Sequence, residues 1–524
     1  MFHTLRMRLL AGGVCAAALF PLSLSAQEAV LAMGSSEVGV PSYNPLTAVN
    51  TNTAFSMIYD TLVEQDADLT YHPHLATSWE EAPDGKSWTF HLKPGIKFHN
   101  GDPLTSATIV EWIDMYRKSE NSYMIDNVEK VEAIDDTTFK FVMKNPDPNL
   151  LYNLSSTFMA IINPAVVKKD GENYGITEAI GTGPFKLESF TLGQETVLVR
   201  NDDYAWASPL SENQGPPHIA KLTLREIPED STAFLELKSG GVDALLSLPT
   251  DYLAEIATQT NLAVEKLPGD EVYYMPINVT KEPFTDIKVR EAAALAINQD
   301  EILKNVFSNY GTVANNMLIS ALPESKIDPS LFISYSADKA NALLDEAGWK
   351  KGADGIREKD GKKLTVALWT QSDSVFRRLT EVVQAELKAV GFDPQIQTFD
   401  SSVIRDQYKT GNQQLAVRSY NWTNADIIDW FFGGDRLGYP NVSMFNDPKA
   451  EELRTKAMTG SATQAERIAN FLAYNSYVTS QFPYAPIYQP EKNMAYNKDR
   501  LVMPSVIHGG SMSGTVMQDV SVKE

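Results

Sequence analysis

Residues 362–400 read KKLTVALWTQSDSVFRRLTEVVQAELKAVGFDPQIQTFD. The stretch KLTVALWT is short, apolar and rich in residues that favour strands. A long segment of helical periodicity follows, SVFRRLTEVVQAELKAVGF, closed by Gly391, and then a second strand-like run, PQIQTFD. Strand, helix and strand at these lengths predict a βαβ unit, and therefore parallel sheet within an α/β fold. Downstream, QLAVRSYNW (414–422) reads as a further strand. Just past its carboxyl end lies YNWTNADIIDW (420–430), with three aromatic rings and two aspartates in eleven residues. Open α/β sheets place ligands at the carboxyl ends of their strands.

Upstream the texture changes often. SWTFHLKPGIKF alternates apolar and polar residues around Pro94-Gly95 and predicts a hairpin; VEAIDDTTFKFVMK predicts another, turning at Asp135-Asp136. SATIVEWIDMYRK places Ile109, Trp112, Ile113 and Tyr116 on one helical face. TAFLELKSGGVDALLSL reads as a helix stopped by Gly240-Gly241 and then a strand. From about residue 285 the chain is more helical, and SADKANALLDEAGWKK forms an amphipathic helix closing at Gly348.

The chain begins MFHTLRMRLLAGGVCAAALFPLSLSAQEA. Arg6 and Arg8, the apolar run Leu9 to Leu22 and the small residues before Gln27 have the layout of a secretory signal, expected to be cleaved after Ser25 or Ala26. Cys15 sits inside the apolar run, is the one cysteine in the chain, and leaves with the signal. Disulfide scaffolds and thiolate metal sites are then excluded from the mature protein. Removing two arginines takes the formal charge from −22 to −24. So acidic a surface argues against nucleic acid or anionic membrane as partner. About 500 residues exceed what one core holds, so two or more lobes are expected.

Catalytic patterns fail on inspection. GTGPFK (181–186) lacks the third glycine of a dinucleotide loop. The Gly-Lys-Ser at 85–87 has Glu80 where a phosphate loop needs glycine. HGGS (508–511) has no Gly-x-Ser-x-Gly to accompany it. His72-Pro-His74 has no carboxylate at helical spacing and reads as surface, not as a metal pair. Arg377-Arg378 reads as a solvated helix face. No cofactor, metal or enzymatic activity is implied.

Several stretches together resemble one family. LATSWEEAPDGKSWTFHLKPGIKFHNGDPLTSATIVEWID (75–114) is similar to the characteristic region of the family 5 solute-binding proteins, which serve ABC importers for peptides, nickel chelates and related solutes. SYNPLTAVNTNTAFSMIYDTLVEQD, GTGPFKLESF, NDDYAW, INVTKEPFTDIKVREAAALAINQDEIL and ANALLDEAGW follow the same family's order, so the likeness runs from about residue 30 to 500. It departs where Asp426-Ile427-Ile428-Asp429 replaces an Asp-Pro-Asp run. It departs again where SENSYMID and LSSTFMAIINP carry none of the arginines of nickel-chelate members.

The resemblance implies a bilobal periplasmic-binding-protein fold of the large, three-subdomain type: α/β, with two mixed-sheet lobes joined by two hinge strands. The expected division is a signal at 1–26, lobe I at 27–272 with an extra subdomain at about 70–180, lobe II at 273–487, and a return to lobe I at 488–524. The crossings are expected near EVYYMPINV (271–279) and FPYAPIYQP (482–490). It further implies a periplasmic monomer that closes by hinge bending on a small-molecule or short-peptide ligand and delivers it to ABC permease subunits. A peptide or amine-bearing solute is the leading reading, with an opine, oligosaccharide or metal chelate open within the class and an exported hydrolase outside it.

Asp426 matches the position at which peptide-binding members hold the ligand's ammonium, and a carboxylate in a drained cleft suits a charge-assisted bond. Tyr420 and Trp422 offer apolar area and cation–π attraction. The alternative is that Asp426 caps the following helix and Trp422 is core. Arg418 is a candidate for a ligand carboxylate. Trp369 points to the same rim, and Tyr43 and Asn44 lie where the family presents a strand edge to its ligand. Asp429 is expected to face solvent.

Overall fold

Thr365–Gln371, the helix Ser374–Ala389 and Asp393–Phe399 form the expected βαβ unit in the computed structural model of the chain, with Thr365 facing Asp393 and Gln371 facing Phe399 in parallel register. The structure describes residues 27–34, 37–48, 50–267, 269–508 and 512–523. The secretory signal expected at 1–26 and most of HGGS lie outside the described residues.

Leu415–Ala416 joins the βαβ unit as a third parallel strand. After Val417 the chain changes partner, and Arg418–Asn421 pairs antiparallel with Glu271–Pro276. The run expected as one strand is therefore two, tying a small parallel sheet to a four-stranded antiparallel one. The latter is ordered Thr312–Val313, Tyr484–Gln489, Glu271–Pro276, Arg418–Asn421. Its core joins Tyr274, Met275 and Ile487 to the helices Ile287–Leu295 and Ser374–Ala389.

The other lobe is built on a seven-stranded mixed sheet. Glu28–Met33 lies at its centre, parallel to Lys221–Glu226 and to Ala244–Leu245; the remaining pairs are antiparallel. A second, four-stranded antiparallel sheet contributes to the same core, ordered Ala76–Glu81, Ser87–Leu92, Thr138–Met143, Val128–Ala133. The helix Ser106–Tyr116 packs on it through Ile109, Trp112, Ile113 and Tyr116, as its periodicity predicts. Its first turn is fixed by a capping box between Thr105 and Thr108. The hairpin expected about Pro94-Gly95 forms elsewhere. Ser87–Leu92 pairs back with Ala76–Glu81 through a turn at Gly85, whose φ is +67°, because proline has no N–H to extend a ladder at residue 94. GTGPFK is a packing motif: a Cβ on Gly181 would meet Ile58 O at 2.1 Å, and one on Gly183 would meet Met57 O at 2.5 Å.

Two crossings join the lobes. Leu262–Leu267 and Lys492–Asn497 pair in the seven-stranded sheet, and their continuations Glu271–Pro276 and Tyr484–Gln489 pair in the four-stranded one. The polypeptide thus passes twice through one narrow waist, at Gly269-Asp270 and Pro490-Glu491. A Cβ on Gly269 would lie 1.6 Å from Pro490 O, so the approach of the two crossings requires glycine there.

Candidate functional site

The waist floors a cavity of about 930 Å³ between the lobes. Tyr59, Tyr152 and Leu246 face it from one side, and Tyr273, Phe307, Val375 and Tyr488 from the other. The hinge strands supply the aromatic wall: Tyr273 and Tyr488 lie 5.9 Å apart, and Phe307 stacks on Tyr488 at 3.9 Å. Hydroxyl-bearing residues such as Thr51, Thr53, Ser156 and Thr515 line much of the rest.

Carboxylates dominate its charge. Glu37, Glu64 and Asp66 enter from the N-terminal part of lobe I, Asp230 and Asp251 from the helix Asp230–Ser239 and the short turn Thr250–Tyr252, and Asp270, Glu271 and Glu491 from the waist. The formal cations on the wall are Arg378 and Lys492. Both are engaged, Arg378 with Asp251 across the lobes at 3.2 Å and Lys492 with Asp270 at 2.8 Å. Lys266 takes Glu491 at 3.2 Å, and His72 takes Asp66 at 2.7 Å. Glu37, Glu64, Asp230 and Glu271 have no ion-pair partner among the described residues. Glu37 and Glu64 accept hydrogen bonds from Thr53 N and Thr515 Oγ1. Burial raises the pKa of Glu271, against its Ser419 hydrogen bond and with Asp270 adding to the effect. Burial, Glu229 and Asp251 raise that of Asp230. Carboxylates crowded together hold their protons more tightly, so the cavity favours positive charge.

His74, read from sequence as surface, is buried on this wall with Nε2 3.3 Å from Asp60. Burial works against its charged form, but Asp60 outweighs that and raises its pKa. Arg378, read as solvated, spans the mouth of the cleft to Asp251. Among the described residues no group of three or more His, Cys, Asp or Glu has the geometry to hold a metal ion.

None of Asp426, Trp422, Tyr420, Arg418, Trp369, Tyr43 or Asn44 is among the residues of this wall. Tyr43 is fully buried; its N–H donates to Gly175 O at 2.7 Å and its carbonyl accepts from Tyr59, so no free strand edge is offered there. Asn44 folds back on Leu46 N and borders a separate surface groove. Trp369 is core, packed on Phe399 and Tyr408. Arg418 is enclosed by the rings of Tyr274, Tyr408, Phe431 and Tyr439 at 5.1–6.0 Å and donates to Pro440 O. Tyr420 is buried and donates to Met317 O.

The stretch 420–430 instead spans the lobes. Asn421 and Thr423 reach the cavity wall. Trp422 lies 6.1 Å from Tyr152, Asn424 accompanies Asn149 at 2.6 Å, and Trp430 meets Tyr123 edge-on at 6.3 Å. Trp422 Nε1 donates to Asp426 Oδ1 at 2.7 Å. Asp426 occupies the residue before the helix Ile427–Phe432, yet its side chain makes no capping bond. Burial pushes its pKa up to about 6, with Arg467 and Trp422 opposing and Asp429 and Glu324 adding. Asp429, expected in solvent, is 1% exposed and paired with Arg436 and Arg454. The residues that sequence reasoning missed are Glu64, Asp270, Glu271 and Asn493. For Asp270, Glu271 and Asn493 the one sequence signal was proximity to the tyrosine- and proline-rich crossings; Glu64 had none.

Two lobes on paired crossings, flanking a cavity lined with carboxylates, hydroxyls and aromatic rings, are the architecture of a protein that captures solutes. The model of the bacterial extracellular solute-binding proteins, family 5, matches residues 70–435, and the chain belongs to that family. Among its relatives are the nickel-binding periplasmic protein of Escherichia coli K12 and the dipeptide-binding protein of the same strain. The first is 29% identical over 78% of each chain. The second is 26% identical over 76% of this chain and 77% of its own. NikA from Brucella suis, solved with Fe(III)-EDTA, shares the fold at a TM-score of 0.81 and 24% identity, over 94% of this chain and all of that one.

Proposed function

We propose that the chain is the periplasmic receptor of an ABC importer, capturing a small peptide or amine-bearing solute between its lobes and delivering it to the membrane permease. The observation that carries this reading is the interlobe cavity, in which four carboxylates have no ion-pair partner among the described residues and both formal cations are engaged. Its volume falls within the range of small-molecule sites, about 300–1,000 Å³. The divided chain follows: signal 1–26, lobe I 27–272, lobe II 273–487 and a return from 488, with the mature protein acting as a monomer. The periplasmic name of the nickel-binding relative supports export. The 420–430 stretch serves closure, holding the lobes together through Trp422, Asn424 and Trp430 while Tyr152 and Tyr273 contact the solute.

Mass spectrometry of solute retained on protein purified from its native host tests the reading, together with small-angle scattering before and after ligand removal. A retained basic solute and a larger radius of gyration once it is removed are expected. No retained solute and an unchanged radius would overturn it, and turnover of a substrate by the purified chain would favour the hydrolase.

A further inference from the structure

Acceptors without donors recur around the cavity. Asn52 Oδ1 and Asn493 Oδ1 belong to side chains 7% and 4% exposed, and neither oxygen has a hydrogen-bond partner among the described residues. The same is true of Glu64 Oε2 and Asp270 Oδ1. Buried polar atoms are normally satisfied, so unmet acceptors on a cavity wall mark where ligand donors belong. They fall into two groups on the chain: Asn52 and Glu64 in lobe I, with Glu37 beside them, and Asp270 and Asn493 at the waist, with Glu271. The unmet donors on the wall, His74 and Arg378 Nε, belong to side chains that each face a carboxylate, Asp60 and Asp251. Lys492 is held by Asp270, so among the described residues every lysine, arginine and histidine of the wall already has an acidic neighbour.

We infer that the cleft selects solutes bearing at least two separated basic nitrogens and no free carboxylate: a linear polyamine, or a basic peptide whose carboxyl end is blocked. The inference rests on the receptor reading above and narrows it. An ammonium brings three N–H donors and no acceptor, which matches a wall of unmet acceptors. A carboxylate brings no donor, and its charge would meet the same sign from both groups. Two nitrogens are inferred because the unmet acceptors form two groups, one in lobe I and one at the waist, each able to take the donors of one ammonium. The aromatic rings of Tyr273 and Tyr488 then cover the apolar stem between the charges.

Four probes test this by calorimetry: spermidine, N-acetylputrescine, Lys-Lys amide and Lys-Lys with its free carboxylate. Spermidine and the amide are expected to bind at least about tenfold more tightly than the monocation and the free acid. Glu64→Gln and Glu271→Gln, one at each end, are each expected to weaken spermidine by about 30-fold or more, the loss typical of truncating one member of a buried charge pair. Both variants should keep the wild-type melting temperature, and Glu64→Asp should recover part of the affinity. Free Lys-Lys binding as tightly as its amide would overturn the inference. So would failure of spermidine and the amide while natively purified protein retains another solute, a result that leaves the receptor reading intact. Absence of any retained solute, with no change in radius of gyration, would defeat both.

Discussion

Asp426→Asn is expected to stabilise the protein at neutral pH, and the sign follows from its surroundings. The carboxyl's pKa stands at about 6 in the folded chain against an ordinary value of 3.8. An acid whose folded pKa is raised holds its proton more tightly folded than unfolded. Its contribution to stability is full below pH 4, is lost as pH rises through about 6, and is flat above. The interval spans about two pH units at about 1.36 kcal/mol each, an upper figure of about 3 kcal/mol. Asp426 is only half-buried, and screening at its open edge reduces the effect to about 1–3 kcal/mol. Asparagine keeps the shape and an oxygen for the Trp422 indole N–H, so the substitution removes charge and little else. Urea unfolding at pH 4, 5, 6 and 7.5, read as midpoints at constant slope, measures the difference. The variant should match wild type at pH 4 and gain progressively to pH 7.5. A pH-independent difference, or a variant less stable at pH 7.5, would refute the reasoning. Because Asp426 is absent from the cavity wall, solute affinity at pH 4 should change by no more than a few-fold.

Asp429→Asn should act in the opposite direction: it takes from Arg436 its carboxylate partner and from Arg454 one of three, leaving Asp435 and Glu451, and a loss of about 3 kcal/mol is expected in the same unfolding assay. Gly269→Ala places a methyl against Pro490 O and should displace the crossings. Scattering should then show a radius of gyration that no longer contracts on adding solute, whereas normal contraction would show that the waist tolerates the shift. The exported form should begin at or near Gln27 and contain no thiol. Intact mass after osmotic-shock release checks this, and an acylated or uncleaved species would contradict it.

Much of the architecture was legible because it depends on local pattern. The βαβ unit at 365–399 follows from a short apolar run, a long amphipathic one and Gly391 at φ +104°, and the motif order along the chain points to the family. Ile109, Trp112, Ile113 and Tyr116 were readable as a buried face because 3.6-residue spacing alone puts them on one side of a helix. The site was not legible in this way. Asp270 and Asn493 share a wall only because two crossings bring residues more than 200 positions apart into one waist, and Glu64 joins them only because lobe I packs over it. Whether an aspartate faces solute, solvent or a buried arginine is likewise set by packing across elements. Asp426 and Asp429 stand three residues apart, and one bonds a tryptophan at the lobe contact while the other is enclosed by two arginines. Composition fixed the sign of the protein's charge; the fold concentrated part of it, unpaired, around a cavity, because closing two lobes removes the water and counterions that would otherwise screen it.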